Sequence, residues 1–260
     1  MEADGPSRGA AGPEPASGGA AFPAFAIIGW RWISRNPAST IAPILLPFIF
    51  LYFLKLISPP AYVPLEIVGA ILFTTQNIGS WVLGDSASWR LESRMQDVFI
   101  ASPLSKVRYL FGIAFSNLIP AVPALLVLGG LLALTVAVPP LGWLVLGGVV
   151  VVLWILFSAI GLAISSRVRS QREIWPVGNL TFTVIGMLSP LYYPLSILPP
   201  WWQAAARFLP TTYAALLVQG ELALPGAVPS NLLLDAALLV GLAILGTGIA
   251  LRLYRWGEGE

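Results

Sequence analysis

Long apolar stretches separated by short charged segments run through most of this 260-residue chain. A helix needs about 20 predominantly apolar residues to cross the hydrocarbon core of a bilayer. Two prolines, Pro139 and Pro140, divide the uncharged stretch from Tyr109 to Ser166 into two helices. The pattern therefore predicts six transmembrane helices, at about Thr40–Ile57, Leu65–Leu83, the two halves of Tyr109–Ser166, Trp175–Leu191 and Asn231–Leu253.

The chain before the first predicted span divides into two segments. Residues 1–21 are mostly Gly, Ala, Pro, Ser and Glu without periodicity, which predicts a disordered tail. Residues 22–37 are patterned as an amphipathic helix in the membrane interface, although the polar start of the first span would show the same pattern. The apolar face of this helix carries Phe25, Ile28 and Trp32, and its basic face carries Arg31 and Arg35.

The stretch from Tyr192 to Ser230 is too rich in proline to form a simple span. We expect one or two short helices there, dipping into or lying on the outer leaflet, because such backbone is tolerated where protein buries it. The six-helix transmembrane domain is thus expected to occupy residues 38–257. Aromatic residues of the stretch are expected to form a belt at the outer interface, with sugar stacking as the alternative: Tyr192, Tyr193, Trp201 and Trp202.

Basic residues are distributed unevenly between the two sides that six spans define. Lys and Arg collect in the cytoplasmic loops of membrane proteins. With a cytoplasmic N-terminus, only Lys55 and Arg207 of the 14 Lys and Arg residues fall outside. This asymmetry predicts a multi-pass protein of the cell membrane with both termini in the cytoplasm.

The predicted cytoplasmic segment after the second span has helical periodicity. Leu91, Met95, Val98 and Phe99 recur at helical spacing, which predicts one amphipathic helix from about Ser86 to Ser102. Such a helix either inserts into a groove on a partner protein or lies at the lipid headgroups. The pattern alone does not choose between these two roles.

The amino-acid composition mainly excludes several kinds of site. The chain is 57% hydrophobic and only 10% charged, so lipid must be the solvent for most of its surface. It has no cysteine and no histidine, which excludes disulfides, Cys/His zinc sites and histidine-based catalytic sets. It also lacks a G-x-x-x-x-G-K-S/T string, so this sequence has no Walker A loop of its own, and we expect ATPase activity on a separate chain. The near balance of acids and bases gives no indication of nucleic-acid binding, and we predict no catalytic residue, metal or cofactor on this chain.

Polar residues within the predicted spans are the candidates for contact with a transported molecule. Gln76 and Asn77 lie in the second span and Asn179 in the fifth, and each could equally form a hydrogen bond between helices. Asp235 lies about one turn into the sixth span. The only other acidic residue in a predicted span is Glu66, at the outer edge of the second. Close helix packing is expected at three glycine pairs: Gly129 with Gly130, Gly147 with Gly148, and Gly241 with Gly246.

Several short strings resemble segments of the type-2 family of ABC transporter permeases. The run Ser102–Ser105 resembles the segment that follows the coupling helix of that family, but the family's Gly-Thr string is missing from Trp89–Met95. With the interfacial helix and six spans, the resemblance covers roughly Phe22 to Tyr254. The strings between the fifth and sixth spans resemble the family's segment in the same order: Ser189–Pro194, Ile197–Trp201 and Phe208–Tyr213.

The resemblance implies an all-α membrane subunit that pairs with a second copy of itself or a homologous permease. Two separate ATPase subunits would hold ATP and Mg, and their closure would push on the cytoplasmic coupling helix. Helix one and helix five of the other subunit would line the path, with Tyr192 and Tyr193 as further path candidates. The residues expected to contact the ATPase are Trp89, Arg90, Glu92, Arg94, Asp97, Ser102 and Pro103.

The resulting hypothesis is an exporter subunit that moves a lipid-like, amphipathic or drug-like molecule. Two alternatives come from other classes. A proton-coupled carrier would need ionisable residues inside the membrane beyond Asp235. A membrane-embedded enzyme acting on a lipid would need clustered acids, and the only cluster, Asp85, Glu92 and Asp97, is diluted by bases.

Overall fold

The computed structural model describes residues 21–35, 37–228 and 231–257, and this part of the chain is helical without strands. The predicted tail lies outside these residues, apart from its last position. Short turns of 3₁₀ helix occur before α3, between α5 and α6, and before α9. The helices are α1 (Ala21–Arg35), α2 (Pro37–Ile57), α3 (Val63–Leu91), α4 (Met95–Ile100), α5 (Lys106–Leu118), α6 (Val122–Thr135), α7 (Pro140–Ser165), α8 (Gln171–Leu188), α9 (Pro200–Ala206), α10 (Pro210–Glu221) and α11 (Leu232–Leu253).

Four helical segments in the described part are long and apolar enough to cross a membrane. They are Pro60–Leu91, the joined helices α5 and α6 as Lys106–Thr135, α7 and α11. The other two predicted spans are helical as well. The apolar described part of α2, Leu45–Ile57, is shorter, and α8 is not among the four. The prediction of a multi-pass, all-helical membrane protein is confirmed.

Helix α3 lies at the centre of the bundle and packs against α5, α6, α7 and α8. The apolar stretch of the membrane-crossing segment that contains α3 is 83% buried inside the chain, whereas the apolar stretch of α11 is only 17% buried. Helix α11 packs on α7 and α10 and turns most of its apolar surface outward. Burial thus ranks the helices from a protein-surrounded centre to a lipid-facing rim.

Two glycines form the crossing between α3 and α7. A Cβ on Gly161 would overlap the carbonyl oxygen of Gly79, and a Cβ on Gly79 would overlap the carbonyl oxygen of Phe157. The backbones therefore touch here, as small residues allow in membrane helices. The predicted close packing is wrong for four glycines, because nothing in the described chain lies within 4 Å of their Cβ positions: Gly130, Gly147, Gly148 and Gly241.

Helix α1 packs along α5. Phe25 is 2% exposed, and its ring rests on Gly112 of α5. Arg31 and Arg35 are exposed, as the amphipathic pattern predicted, although Trp32 is 42% exposed. The helix is confirmed, and its position in the membrane interface stays a prediction.

The proline-rich stretch between α8 and α11 contains the short helices that the sequence predicted. Helix α10 packs against α3, α7 and α11 and is largely buried, so it belongs to the core of the bundle. The ring of Tyr192 packs against Phe50 at 4.7 Å and Phe73 at 6.1 Å, and its place in an outer belt stays a prediction. Trp201 is 68% exposed and matches the predicted belt position better.

Candidate functional site

Helix α3 continues two turns beyond its predicted end at Leu83. The second span was predicted to end at Leu83 and a separate amphipathic helix to begin at about Ser86, whereas α3 runs without interruption to Leu91. Asp85 is half-buried and accepts a hydrogen bond of 3.0 Å from Nδ2 of Asn117 on α5. Glu66, predicted at the outer edge of the second span, lies in the first turn of α3 and is 2% exposed.

The predicted single helix from Ser86 to Ser102 is broken in the structure. Arg94 adopts a left-handed backbone conformation with φ of 50°, which ends any helix of L-residues, and the six-residue α4 follows. The four periodic apolar side chains therefore do not share one face. Val98 is 69% exposed, whereas Phe99 packs into the bundle.

An aromatic cluster fixes α4 against three other helices. The ring of Phe99 stacks on Phe25 of α1 at 5.4 Å and on Trp89 of α3 at 5.9 Å. It also lies 5.3 Å from the ring of Tyr109 on α5. Trp89, predicted to contact an ATPase, is thus half-buried in this internal contact. The cluster gives α4 a defined position relative to the membrane-crossing helices.

A buried polar network ties α4 to the chain beyond α11. Gln96 is 4% exposed, and its Nε2 donates to the carbonyl oxygen of Arg255 at 2.9 Å. The hydroxyl of Tyr254 donates to Oε1 of Gln96 at 3.1 Å and lies 2.9 Å from Oγ of Ser86. Burial raises the pKa of the Tyr254 hydroxyl, so this group stays a neutral donor at physiological pH. We call Ser86, Gln96 and Tyr254 the polar brace.

Arg90 joins the ends of α3 and α7. Its Nη2 donates to the carbonyl oxygens of Ser165 and Val168, both at 2.7 Å. Oγ of Ser86 also lies 3.0 Å from Oγ of Ser165. The guanidinium of Arg90 therefore caps the C-terminal end of α7, where carbonyl oxygens lack donors from the helix itself.

The remaining residues predicted to contact an ATPase stand at the edge of this region. Glu92, Arg94, Asp97 and Pro103 are exposed, and Oε2 of Glu92 accepts a hydrogen bond of 2.6 Å from Gln171. Ser102 is half-buried, and its Oγ donates to the carbonyl oxygen of Phe99 at 2.7 Å. The exposed charges thus sit on a segment that aromatic and polar contacts hold in place.

Sequence reasoning missed the polar brace. Gln96 precedes Phe99 by three residues, which puts both on one face of a helix, and this spacing was the available signal. No local pattern connects Gln96 to Tyr254, because 158 residues separate them. The last span was predicted to end at Leu253, one residue before Tyr254.

The polar candidates inside the bundle do not converge on one site. Gln76 is fully buried, and its Nε2 donates to the carbonyl oxygen of Phe182 on α8 at 2.5 Å. Asn77 is half-buried and Asn179 is exposed on α8. Within the described residues, no hydrogen bond joins the five predicted path side chains to one another. Tyr193 is half-buried, with its hydroxyl 3.4 Å from the carbonyl oxygen of Met187.

Five buried side-chain oxygens have no hydrogen-bond partner among the described residues, and they belong to Gln76, Ser80, Tyr109, Ser158 and Thr247. Oε1 of Gln76 is buried and has no hydrogen-bond partner among the described residues. Asp235 is 8% exposed in the first turn of α11, where Asn231 caps the helix by accepting from the backbone N–H of Leu234 at 3.2 Å. The backbone N–H of Asp235 donates to the carbonyl oxygen of Asn231 at 2.9 Å, and its carboxylate accepts a backbone hydrogen bond from Asn231 and interacts with the charge of Arg207.

The apolar helices and the buried polar contacts at their ends define the class of this protein, a multi-pass membrane protein. Residues 22–220 match the family model described as ABC-2 type transporter. The chain therefore belongs to the ABC-2 type transporter family, whose members are the membrane components of ABC transporters. A comparison with curated proteins gave no match.

Proposed function

We propose that this chain is the membrane subunit of an ATP-driven exporter and works with a separate ATPase subunit. The family assignment supports a transporter permease. The observation that carries the ATP coupling is α4, a short helix placed directly after the most buried membrane helix and held by contacts to α1, α3 and α5. A rigid element of this kind can pass a push from a partner to the bundle.

The proposed ATPase contact is the exposed surface around α4. Glu92, Arg94 and Asp97 present their charges outward there, and their backbone is anchored by Phe99 and Gln96. Charged groups at the rim of an interface steer association and fix its register. ATP and Mg would be held by the partner, and this chain would supply the docking surface.

Two copies of the chain, or this chain with a homologous permease, would form the translocation path. Helices α2 and α8 both pack on α3 and expose apolar side chains, among them Phe53 and Leu180. Asn179 is exposed on α8, and an amide facing hydrocarbon is costly without a partner. A second subunit or a water-filled path at α8 would supply that partner, which favours α2 and α8 as path-lining helices.

The proposed orientation places α4 and both termini in the cytoplasm of a cell-membrane protein. Arg90 lies near the end of α3, and Arg167 and Arg255 follow the ends of α7 and α11. These three helices end on the same side, and basic residues collect on the cytoplasmic side. The transported molecule would be amphipathic or lipid-like, in keeping with the apolar surface that the path-lining helices expose.

The test is copurification in mild detergent from native membranes, followed by mass spectrometry of the bound proteins. We expect a Walker A-containing subunit in stoichiometric amount. Glu92→Ala and Asp97→Ala should each weaken its association by about tenfold, roughly 1.4 kcal/mol, because an interfacial charge loses its partner. Glu221→Ala, at the opposite end of the bundle, should leave association unchanged. A chain that purifies alone would contradict the proposal.

A proton-coupled carrier is the second candidate, and Asp85 is the observation in its favour. This acid lies inside a membrane-crossing segment and pairs with Asn117. Under the exporter proposal, Asp85→Asn should fold and keep ATP-dependent transport, because an amide oxygen can still accept from Asn117 at a cost of about 1 kcal/mol or less. Loss of transport with intact ATPase association would instead favour proton coupling. Transport in vesicles with and without a pH gradient is the measurement.

A further inference from the structure

A basic cleft opens at the ends of three membrane-crossing helices. It has a volume of about 430 Å³ and is lined by four arginines and by the apolar side chains of Leu91 and Val168. Four of the 14 basic residues of the chain thus meet in one place. We call this the arginine cleft; its arginines are Arg90, Arg167, Arg169 and Arg255.

The arginine cleft has no internal counter-charge. None of its described lining residues is acidic. Two carboxylates stand beside the cleft residues along the chain: Glu173 accepts from the backbone N–H of Arg169 at 3.3 Å, and Glu92 accepts from Gln171 at 2.6 Å. Nη2 of Arg90 donates to the carbonyl oxygens at the end of α7. The Nε and Nη1 groups of Arg90 have no acceptor among the described residues.

The cleft lies at the ends of the membrane-crossing helices, which is the level of the lipid headgroups. Arg90 is the second-last residue of α3, Arg167 and Arg169 follow α7 by two and four residues, and Arg255 follows α11 by two. These groups therefore lie within four residues of the ends of three membrane-crossing helices. A basic pocket at this level between membrane helices is suited to an anionic lipid headgroup.

We propose that the arginine cleft binds the phosphate-bearing headgroup of an anionic phospholipid. Guanidinium groups bind phosphate oxygens with two parallel hydrogen bonds, and several of them around one cleft repel one another until an anion is present. The volume is within the range of small-molecule pockets and far exceeds the space for one acidic side chain of a partner protein. Leu91 and Val168 provide an apolar wall for the glycerol and the start of an acyl chain.

The experiment is native mass spectrometry of the purified full chain in detergent with dioleoylphosphatidylglycerol or dioleoylphosphatidylcholine. The triple variant Arg167→Gln/Arg169→Gln/Arg255→Gln keeps Arg90 at its structural bonds. Its matched control, Arg108→Gln/Arg172→Gln/Arg252→Gln, removes three exposed arginines outside the cleft. We expect the cleft variant to bind phosphatidylglycerol about tenfold or more weakly, and the control to bind it like the unaltered chain. Size-exclusion elution confirms that each variant is folded.

Three outcomes would overturn the proposal. Equal binding of the anionic and zwitterionic lipids, or equal loss in cleft and control variants, would mean that no specific headgroup site exists. Displacement of phosphatidylglycerol by millimolar inorganic phosphate would indicate a site for free anions. A cleft variant that keeps its lipid but loses the copurifying ATPase would indicate an acidic partner surface. The lipid readout needs no ATPase, so its failure is distinct from failure of the exporter proposal.

Discussion

Gly161→Ala is expected to leave little folded protein, whereas Gly148→Ala on the same helix should fold normally. The new Cβ at position 161 would overlap the carbonyl oxygen of Gly79 and lie 3.2 Å from the backbone nitrogen of Leu83. Backbone atoms cannot rotate away as a flexible side chain can, so α3 and α7 would have to separate. Overpacking of this kind costs about 1–3 kcal/mol or more, and here it strikes the most buried helix.

The control separates packing from helix propensity. Alanine is more favourable than glycine in a helix interior by about 1 kcal/mol, so propensity alone would stabilise both variants. The Cβ position of Gly148 has nothing within 4 Å, and only the propensity gain applies there. The measurements are the monodisperse fraction after detergent extraction and the thermal unfolding midpoint. Equal behaviour of the two variants would contradict the close crossing of α3 and α7.

The sequence predicted where the helices lie along the chain but not which of their faces touch. Apolar length is a local property, so all six predicted spans are helical in the structure, although the third consists of two helices, α5 and α6, joined by a 3₁₀ turn. The rotation of a helix about its axis is set by its neighbours. The glycine pairs in α6, α7 and α11 look alike in sequence, yet the glycines at the crossing are Gly79 and Gly161, which no pair pattern marks.

The end of α3 was missed for a related reason. Because isolated charges are costly in a membrane helix, the charges at Asp85 and Arg90 predicted that the span ends before Asp85 and that a separate cytoplasmic helix follows. Both charges are satisfied by groups distant in sequence: Asn117 for Asp85, and the carbonyl oxygens at the end of α7 for Arg90. Such partners are visible only once the helices are assembled.

The candidate ATPase surface was predictable in part. The exposed charges Glu92, Arg94 and Asp97 followed from their position in a segment of mixed charge between apolar stretches. The break at Arg94 did not, because a left-handed residue other than glycine carries no strong sequence signal. The polar brace could not be predicted either, since its hydrogen bonds join residues that are 158 and 168 positions apart in the sequence.

Tyr254→Phe is expected to loosen α4 while the bundle stays folded. The variant removes one hydroxyl and leaves Oε1 of Gln96 buried without its donor, while Ser86 keeps its contact with Ser165. A buried polar group that loses its partner costs about 1–3 kcal/mol. Backbone amides of α4 should therefore exchange hydrogen about 5- to 150-fold faster, which hydrogen–deuterium exchange mass spectrometry measures.

Tyr213→Phe is the matched control, because it removes a hydroxyl that donates to the carbonyl oxygen of Arg207 at 2.8 Å, far along the chain from α4. Exchange in α4 should not change in this variant. If α4 exchanges equally in both variants, the stacking of Phe99 on Phe25 and Trp89 alone holds it. If it exchanges faster only in Tyr254→Phe, and stimulation of the partner ATPase falls while association persists, then the end of α11 positions α4. A push on α4 would in that case reach the membrane-crossing helices through the polar brace as well as through the aromatic cluster.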